Sequence, residues 1–406
     1  MSKRMIALLF GIVISLNTQA ADFMWGISSS PYQTEDVYEA KNSPLFFKTD
    51  WDLFFELGKL HTPKGDGVFS FSEIDRDIKT LVELGVTHYR FGIEWARVEP
   101  QPGVYNEKAL DHYLSFVKKL KSRNIVPIIC LWHFTFPSWA FKDNDSKKFG
   151  WFSPAVKERW PIYVKKVVEK FKDEVEMYAP QNEPNIESLA GFFLGSFPPG
   201  EKYNLKLYRA HMQEAAERFI EAADIIHKSS ANAKVISIQN LIAWEKAWWD
   251  VFSYFYNIGD EFNFLHLDLI KDHVDMIGFN YYYKLKASPF SNPRIVYPNG
   301  IAEMAEKLNS RYNKPLLITE NGWWENPEIS KEEYFLKHWQ VIDEIRLKYN
   351  LKGYFYWSLF DNYEWAEGYN DKFGMFKYER PLKKITPYSV AAAFKKVIKD
   401  DLKLSK

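Results

Sequence analysis

Runs of apolar, β-branched and aromatic residues recur eight times along the chain, at 23–29, 88–95, 125–133, 175–182, 234–239, 274–282, 315–320 and 351–359. Most are nearly continuous in apolar character, as parallel strands covered on both faces are, with little of the alternation of a half-solvated sheet. Between them apolar positions return at helical spacing, most clearly at 107–123, 154–172, 205–228 and 331–349. Ser153-Pro154 opens one of these with a cap and a proline at the first helical position. Eightfold alternation of strand and helix predicts the α/β class and a single (β/α)8 TIM barrel over 21–406. An open doubly wound sheet is the rival, but no Gly-rich phosphate turn follows the first strand. No repeat, low-complexity tract or Pro/Gly/Ser linker marks a second domain.

Polar and ionisable residues collect at the C-terminal ends of these strands. Gln33 follows the first, Arg90 and Glu94 lie in the second, Trp132-His133 end the third and Asn182-Glu183 the fourth. Asn280 and Tyr282 end the sixth, Glu320 the seventh and Trp357 the eighth. In a parallel barrel that rim is where catalysis occurs, with residues drawn from several strands. Two segments, Ala179-Pro180-Gln181-Asn182-Glu183-Pro184 and Leu317-Ile318-Thr319-Glu320-Asn321-Gly322, each put a carboxylate there. Cleavage of a glycosidic bond with retention needs such a pair, one proton donor and one nucleophile, about 5–5.5 Å apart.

Alone, Glu183 reads equally well as a salt-bridged rim carboxylate. Paired, an ionised Glu320 raises the Glu183 pKa and keeps it protonated as an acid, while Arg90 is a partner that favours charged, nucleophilic Glu320. Gln33, Asn182 and Asn280 offer both donors and acceptors, which suits sugar hydroxyls, although each singly serves as well to tie down a loop. His133 has no second His or carboxylate at metal-ligand spacing, so a metal role is rejected and hydrogen bonding to a sugar hydroxyl is expected.

The bulk composition narrows the partner. With 53 basic and 53 acidic residues the formal charge is +0, which gives no footing for a nucleic acid. The aromatic content of 17%, with 15 Trp and 24 Tyr, exceeds what an ordinary core requires and suits the C–H faces of sugars, although large cores and interfaces use the same residues. A small carbohydrate or glycoside is the expected partner. No cofactor is expected, because two glutamates carry the covalent and proton-transfer steps themselves.

At the N-terminus, Lys3 and Arg4 precede an apolar run from Met5 to Leu16 that closes on Thr18-Gln19-Ala20. This pattern predicts a signal peptide over residues 1–20 and export to the periplasm, the medium or a secretory lumen. Beyond it no stretch reaches the roughly 18 apolar residues of a spanning helix. The single cysteine, Cys130, excludes an intramolecular disulfide and lies in an apolar strand, where it reads as a buried structural thiol.

In order along the chain, these segments resemble the signature of glycoside hydrolase family 1, the β-glucosidase and β-galactosidase family. The resemblance is carried by Phe23-Met24-Trp25-Gly26 with Tyr32-Gln33, Tyr89-Arg90-Phe91-Gly92-Ile93-Glu94-Trp95, Trp132-His133, Asn182-Glu183-Pro184, Asn280-Tyr281-Tyr282, Thr319-Glu320-Asn321-Gly322, and the run Tyr356 through Trp365. It implies a barrel with Glu183 as acid/base and Glu320 as nucleophile, Glu320 held by Arg90 and Tyr282, and Asn182 binding the sugar 2-hydroxyl. Gln33, His133, Trp357, Glu364 and Trp365 would line the pocket for the terminal sugar. Phosphosugar members carry Ser where this chain has Glu364, so an unphosphorylated β-D-glucoside or β-D-galactoside is expected.

The sequence also departs from the family pattern. Pro180-Gln181 stands where Thr-Leu is usual and Glu35-Asp36 where Glu-Gly is usual, departures expected to bear on the leaving-group side. The Glu-Asp pair is similar to the branch containing plant galactolipid galactosyltransferases, so transglycosylation is the alternative activity, and a catalytically dead sugar-binding barrel is a third reading. The aromatic-rich segment 241–256 reads as a helix packed on the barrel, with an aromatic wall for an aromatic or lipid-linked aglycone as the rival.

Overall fold

The computed structural model describes residues 23–37, 39–141, 145–288, 293–324 and 326–404. The expected leader, 1–20, lies outside the described residues. Eight strands close a parallel barrel in sequence order: β1 (Met24–Ser28), β2 (His88–Gly92), β3 (Val126–Cys130), β4 (Met177–Ala179), β5 (Lys234–Lys246), β6 (Met276–Ala287), β7 (Leu316–Asn321) and β8 (Leu351–Trp357). Closure is made by β8 pairing with β1 from Met24↔Gly353 to Ser28↔Trp357. Eight long helices follow these strands: α1 (Ile74–Leu84), α2 (Glu107–Lys121), α3 (Pro154–Phe171), α4 (Leu205–Ser229), α5 (Tyr254–Ile270), α6 (Asn299–Tyr312), α7 (Lys331–Ile345) and α8 (Ser389–Leu404). The Ser153 hydroxyl caps α3 by accepting from the Val156 N–H, with Pro154 in the first turn.

The barrel interior is a packed plug. Ile128, Ile236, Leu317 and Phe355 form one layer, with Met24, Met177 and Met276 against it, and Cys130, Ala179 and Ile238 form a second. Cys130 is buried there, as expected of a structural thiol. The plug also explains Gly26: the Phe355 ring lies where a Cβ on that residue would sit.

Two parts of the chain differ from the pattern-based expectation. A two-stranded antiparallel hairpin, β9 (Phe376–Glu379) and β10 (Lys384–Pro387), follows β8. And 241–246 is not helical: β5 runs on past the barrel beside β6, pairing Ala243↔Lys284 through Lys246↔Ala287, and α5 begins only at Tyr254. The aromatic spacing in 241–256 looked helical because it spans a strand end, a turn and a helix start.

Candidate active site

Glu183 follows β4 with φ of +43°, a left-handed backbone that is uncommon for a residue with a side chain and clusters at functional positions. The geometry turns its carboxyl group across the rim. Its Oε1 accepts from Asn240 Nδ2 and from Asn280 Nδ2, both at 2.7 Å. Glu320, near the end of β7, has different partners: Arg90 Nη2 donates to its Oε1 at 2.5 Å and Tyr282 Oη to its Oε2 at 2.6 Å.

These partners set the proton affinities. Burial pushes the Glu183 carboxyl up to about 8, with the Glu320 charge the second cause and the amides of Asn240 and Asn280 pulling back. Burial, more than like charge, does the lifting, which reverses the emphasis expected from sequence. Burial also raises Glu320, but the guanidinium of Arg90 and the Tyr282 hydroxyl oppose it. Arg90 is always charged and is itself buried, so Glu320 is the anion that balances it, and Glu183 is the carboxyl that keeps its proton.

A guanidinium can only donate, so Arg90 Nη2 at 3.1 Å fixes the Oδ1 of Asn182 towards itself and turns Nδ2 towards His133 Nε2, 3.2 Å away. His133 therefore accepts at Nε2 and carries its proton on Nδ1, which has no hydrogen-bond partner among the described residues. Burial first, and Arg90 second, hold its pKa well below the usual value, so the ring is neutral. It stacks on Trp357 and Trp365, with ring centroids 5.8 and 5.9 Å away.

Eight of the eleven residues expected from sequence line one cavity of about 260 Å³: His133, Asn182, Glu183, Tyr282, Glu320, Trp357, Glu364 and Trp365. The other three sit behind its wall. Arg90 reaches Glu320. Asn280 gives Nδ2 to Glu183 and takes the Thr319 hydroxyl at 2.6 Å on Oδ1, so both its polar ends are engaged in positioning. Gln33 Nε2 donates to Tyr363 O at 2.7 Å, to Asn362 Oδ1 at 3.1 Å and to Glu364 Oε2 at 3.2 Å, tying down the loop after β8, while its Oε1 has no hydrogen-bond partner among the described residues. Glu364 is pushed up to about 8, by burial first and then by Glu320 and Asp371.

Sequence reasoning missed Asn240, which completes the rim by giving the fifth strand its polar end. The strand was taken to stop at Gln239, yet Asn240 still pairs with Asn280. The signal was present in Gln239-Asn240 after an apolar run. It also missed the outer wall, where Arg294 lies against the rings of Tyr283 and Trp324 and 3.8 Å from Asp371. No motif marks these residues. Conversely, the two departures from the family pattern face away from the cavity. Glu35 is buried against Tyr113 and Arg97, Asp36 accepts from the Ser72 N–H, and Gln181 Nε2 donates to Ala215 O on α4.

A parallel barrel whose rim holds two buried carboxyl groups, one beside amides and one beside a guanidinium, in a cavity walled by indole rings is the equipment of a glycoside hydrolase. A family model described as Glycosyl hydrolase family 1 matches residues 16–247 and 284–401, and the chain belongs to that family. Asn280 and Tyr282 fall in the unmatched interval, yet they contact Glu183 and Glu320 directly. The chain is 29% identical to β-glucosidase A of Acetivibrio thermocellus, over 87% of this chain and 92% of that one. It is 25% identical to a chloroplastic galactolipid galactosyltransferase of Arabidopsis thaliana, over 87% of this chain and 60% of that protein. Its fold matches the family 1 β-glucosidase of Thermotoga maritima, solved with isofagomine lactam, with a TM-score of 0.82 at 23% identity, covering 93% and 98% of the two chains.

Proposed function

We propose that the protein is a retaining, exo-acting β-glycosidase for unphosphorylated β-D-glucosides or β-D-galactosides. The observation that carries this reading is the contrast in hydrogen-bond partners: Glu320 accepts from Arg90 and Tyr282, Glu183 from the amides of Asn240 and Asn280. Glu320 attacks the anomeric carbon while Glu183 protonates the departing oxygen, giving a covalent glycosyl-enzyme and free aglycone. Glu183, now ionised, then takes a proton from water, which displaces Glu320 and restores both groups. Asn182, His133 and Glu364 hold hydroxyls of the terminal sugar, and the rings of Trp357 and Trp365 pack on its apolar face.

Glu364 supports the choice of an unphosphorylated sugar. The charged groups that act on it most are Glu320, Asp371 and Glu183, so a phosphate placed there would meet several carboxyl groups. A leader over 1–20 with export, followed by a catalytic domain over 21–406, completes the reading.

The test is release of nitrophenol from a panel of aryl β-D-glycosides, with the first-formed sugar anomer followed by NMR. The reading expects turnover of the glucoside or galactoside with the β-anomer appearing first. Activity confined to 6-phosphoglycosides, or first release of the α-anomer, overturns it. Transglycosylation by the same two glutamates is the second reading, favoured by the similarity to the galactolipid galactosyltransferase. It expects sugar transfer to an added glycoside acceptor in preference to water.

A further inference from the structure

Beyond Leu241, β5 and β6 leave the barrel on the cavity side and continue as an arm. Glu245 on this arm pairs with Lys284 at 2.9 Å. The turn that ends β5 exposes an unusual set of side chains: Trp248 is 89% exposed, Phe252 92%, Val251 72% and Tyr254 61%. Singly exposed apolar residues need no explanation, but four within seven positions do.

The turn is well organised. The Asp250 carboxylate accepts the N–H groups of Tyr254 at 2.7 Å and Tyr256 at 3.0 Å, and the Ser253 N–H donates to Asp250 O at 2.9 Å. Trp249 packs edge-on against Phe255, with centroids 5.5 Å apart. The large side chains are thus held outward by a folded turn.

Charge narrows what they meet. Asp250 is the only acidic residue between 246 and 254, and it is buried with its oxygens engaged by backbone N–H groups, so the turn displays no carboxylate. Around it Glu245 is paired with Lys284, and Glu261 with Arg209, which lies close enough to Tyr254 for the two to interact; exposed Lys246 reaches the turn itself, its Nζ donating to Val251 O. At the neighbouring start of α4, Tyr203 is exposed between exposed Lys202 and Lys206. Trp, Tyr and Phe with flanking Lys and Arg make up the composition of a membrane headgroup interface. A stable protein–protein interface takes about 20–30 residues a side, far more than this single turn presents, whereas insertion into lipid needs only a few side chains.

We propose that the 247–254 turn docks the protein on an anionic lipid bilayer, with Trp248 and Phe252 entering the headgroup boundary. The arm rises from the rim that carries the cavity, so docking brings the cavity mouth close to the lipid surface. This inference stands apart from the glycosidase reading, because docking is measured without turnover.

The test is co-sedimentation of the purified protein with vesicles of phosphatidylcholine containing about 30% phosphatidylglycerol, compared with pure phosphatidylcholine, at low and high salt. Wild type is expected to bind the anionic vesicles, with binding weakened by salt. The double variant Trp248→Ser/Phe252→Ser is expected to bind at least about tenfold more weakly, with unchanged nitrophenol release from a soluble glycoside. Failure of wild type to bind any vesicle overturns the proposal, as does equal binding by the double variant. Concentration-dependent self-association of wild type that the double variant lacks, with neither binding lipid, would assign the turn to a second copy of the chain and also overturn it.

Discussion

Two clusters of buried carboxyl groups lie at the top of this barrel, and their proton affinities look alike. In one, burial pushes Glu35 and Glu94 each up to about 7; in the other, it pushes Glu183 up to about 8. Their partners separate them. Glu35 takes the Tyr113 hydroxyl at 2.8 Å and faces Arg97 at 3.3 Å, and Glu94 takes the Ala96 N–H at 3.1 Å and the Thr135 hydroxyl at 3.0 Å. That cluster closes on itself, and neither glutamate reaches the cavity. Glu183 and Glu320 present theirs to a space a sugar can enter. A perturbed carboxyl therefore marks burial, and an open side marks a site.

Replacing Glu320 by Gln breaks the comparison most sharply: kcat/KM should fall by more than about 10⁴-fold, since the covalent step has no nucleophile. Glu35→Gln should leave kcat/KM within a few-fold of wild type, because that carboxyl group does not line the cavity. Parallel kinetics distinguish the two. Equal loss of activity would erase the contrast.

Glu183→Gln should cost about 10²–10⁴-fold for glycosides with poor leaving groups and far less for activated aryl glycosides, which need no proton. Its effect on stability has the opposite sign. In the folded protein Glu183 stays protonated to about 8, whereas unfolded it ionises near 4.5. Wild type therefore gives up stability as pH rises from about 4.5 to about 8, and a glutamine does not. The variant should be more stable than wild type at pH 8, by up to about 4 kcal/mol, and no more stable below pH 4. Melts at the two pH values check this.

Smaller effects are expected in the pH profile. Wild-type kcat/KM should decline as pH rises through about 8, where Glu183 loses its proton. Tyr282 donates to Glu320 and favours its charged form, so Tyr282→Phe should move the acid limb to higher pH and lower the rate about tenfold. Asn240→Ala removes a donor that favours ionised Glu183, so the alkaline limb should move up by about half a unit.

Much of this was legible in the chain because a parallel strand buried on both faces writes itself as a continuous apolar run, and because Asn182-Glu183 closely follows β4 and Glu320-Asn321 ends β7. What could not be read were the features that depend on neighbours. Asn240 carries no motif, and its role exists only because β6 sets Asn280 beside it. Arg294 and Trp324 meet from loops 30 positions apart. The arm of β5 was hidden because aromatic residues at mixed spacing look alike in a strand, a turn and a helix start. Cavity-facing and self-paired glutamates cannot be told apart without the packing that aims them, which is why Glu94 and Glu183 both looked like rim candidates.

The most direct test of the assignment is the anomer formed when azide rescues the two glycine variants on an activated aryl β-glycoside. If Glu320 is the nucleophile and Glu183 the acid/base, Glu320→Gly should yield an α-glycosyl azide, by direct attack from the vacated side. Glu183→Gly should yield a β-glycosyl azide, by attack on the covalent intermediate held by Glu320. The reverse pattern, or the same anomer from both variants, would contradict the account.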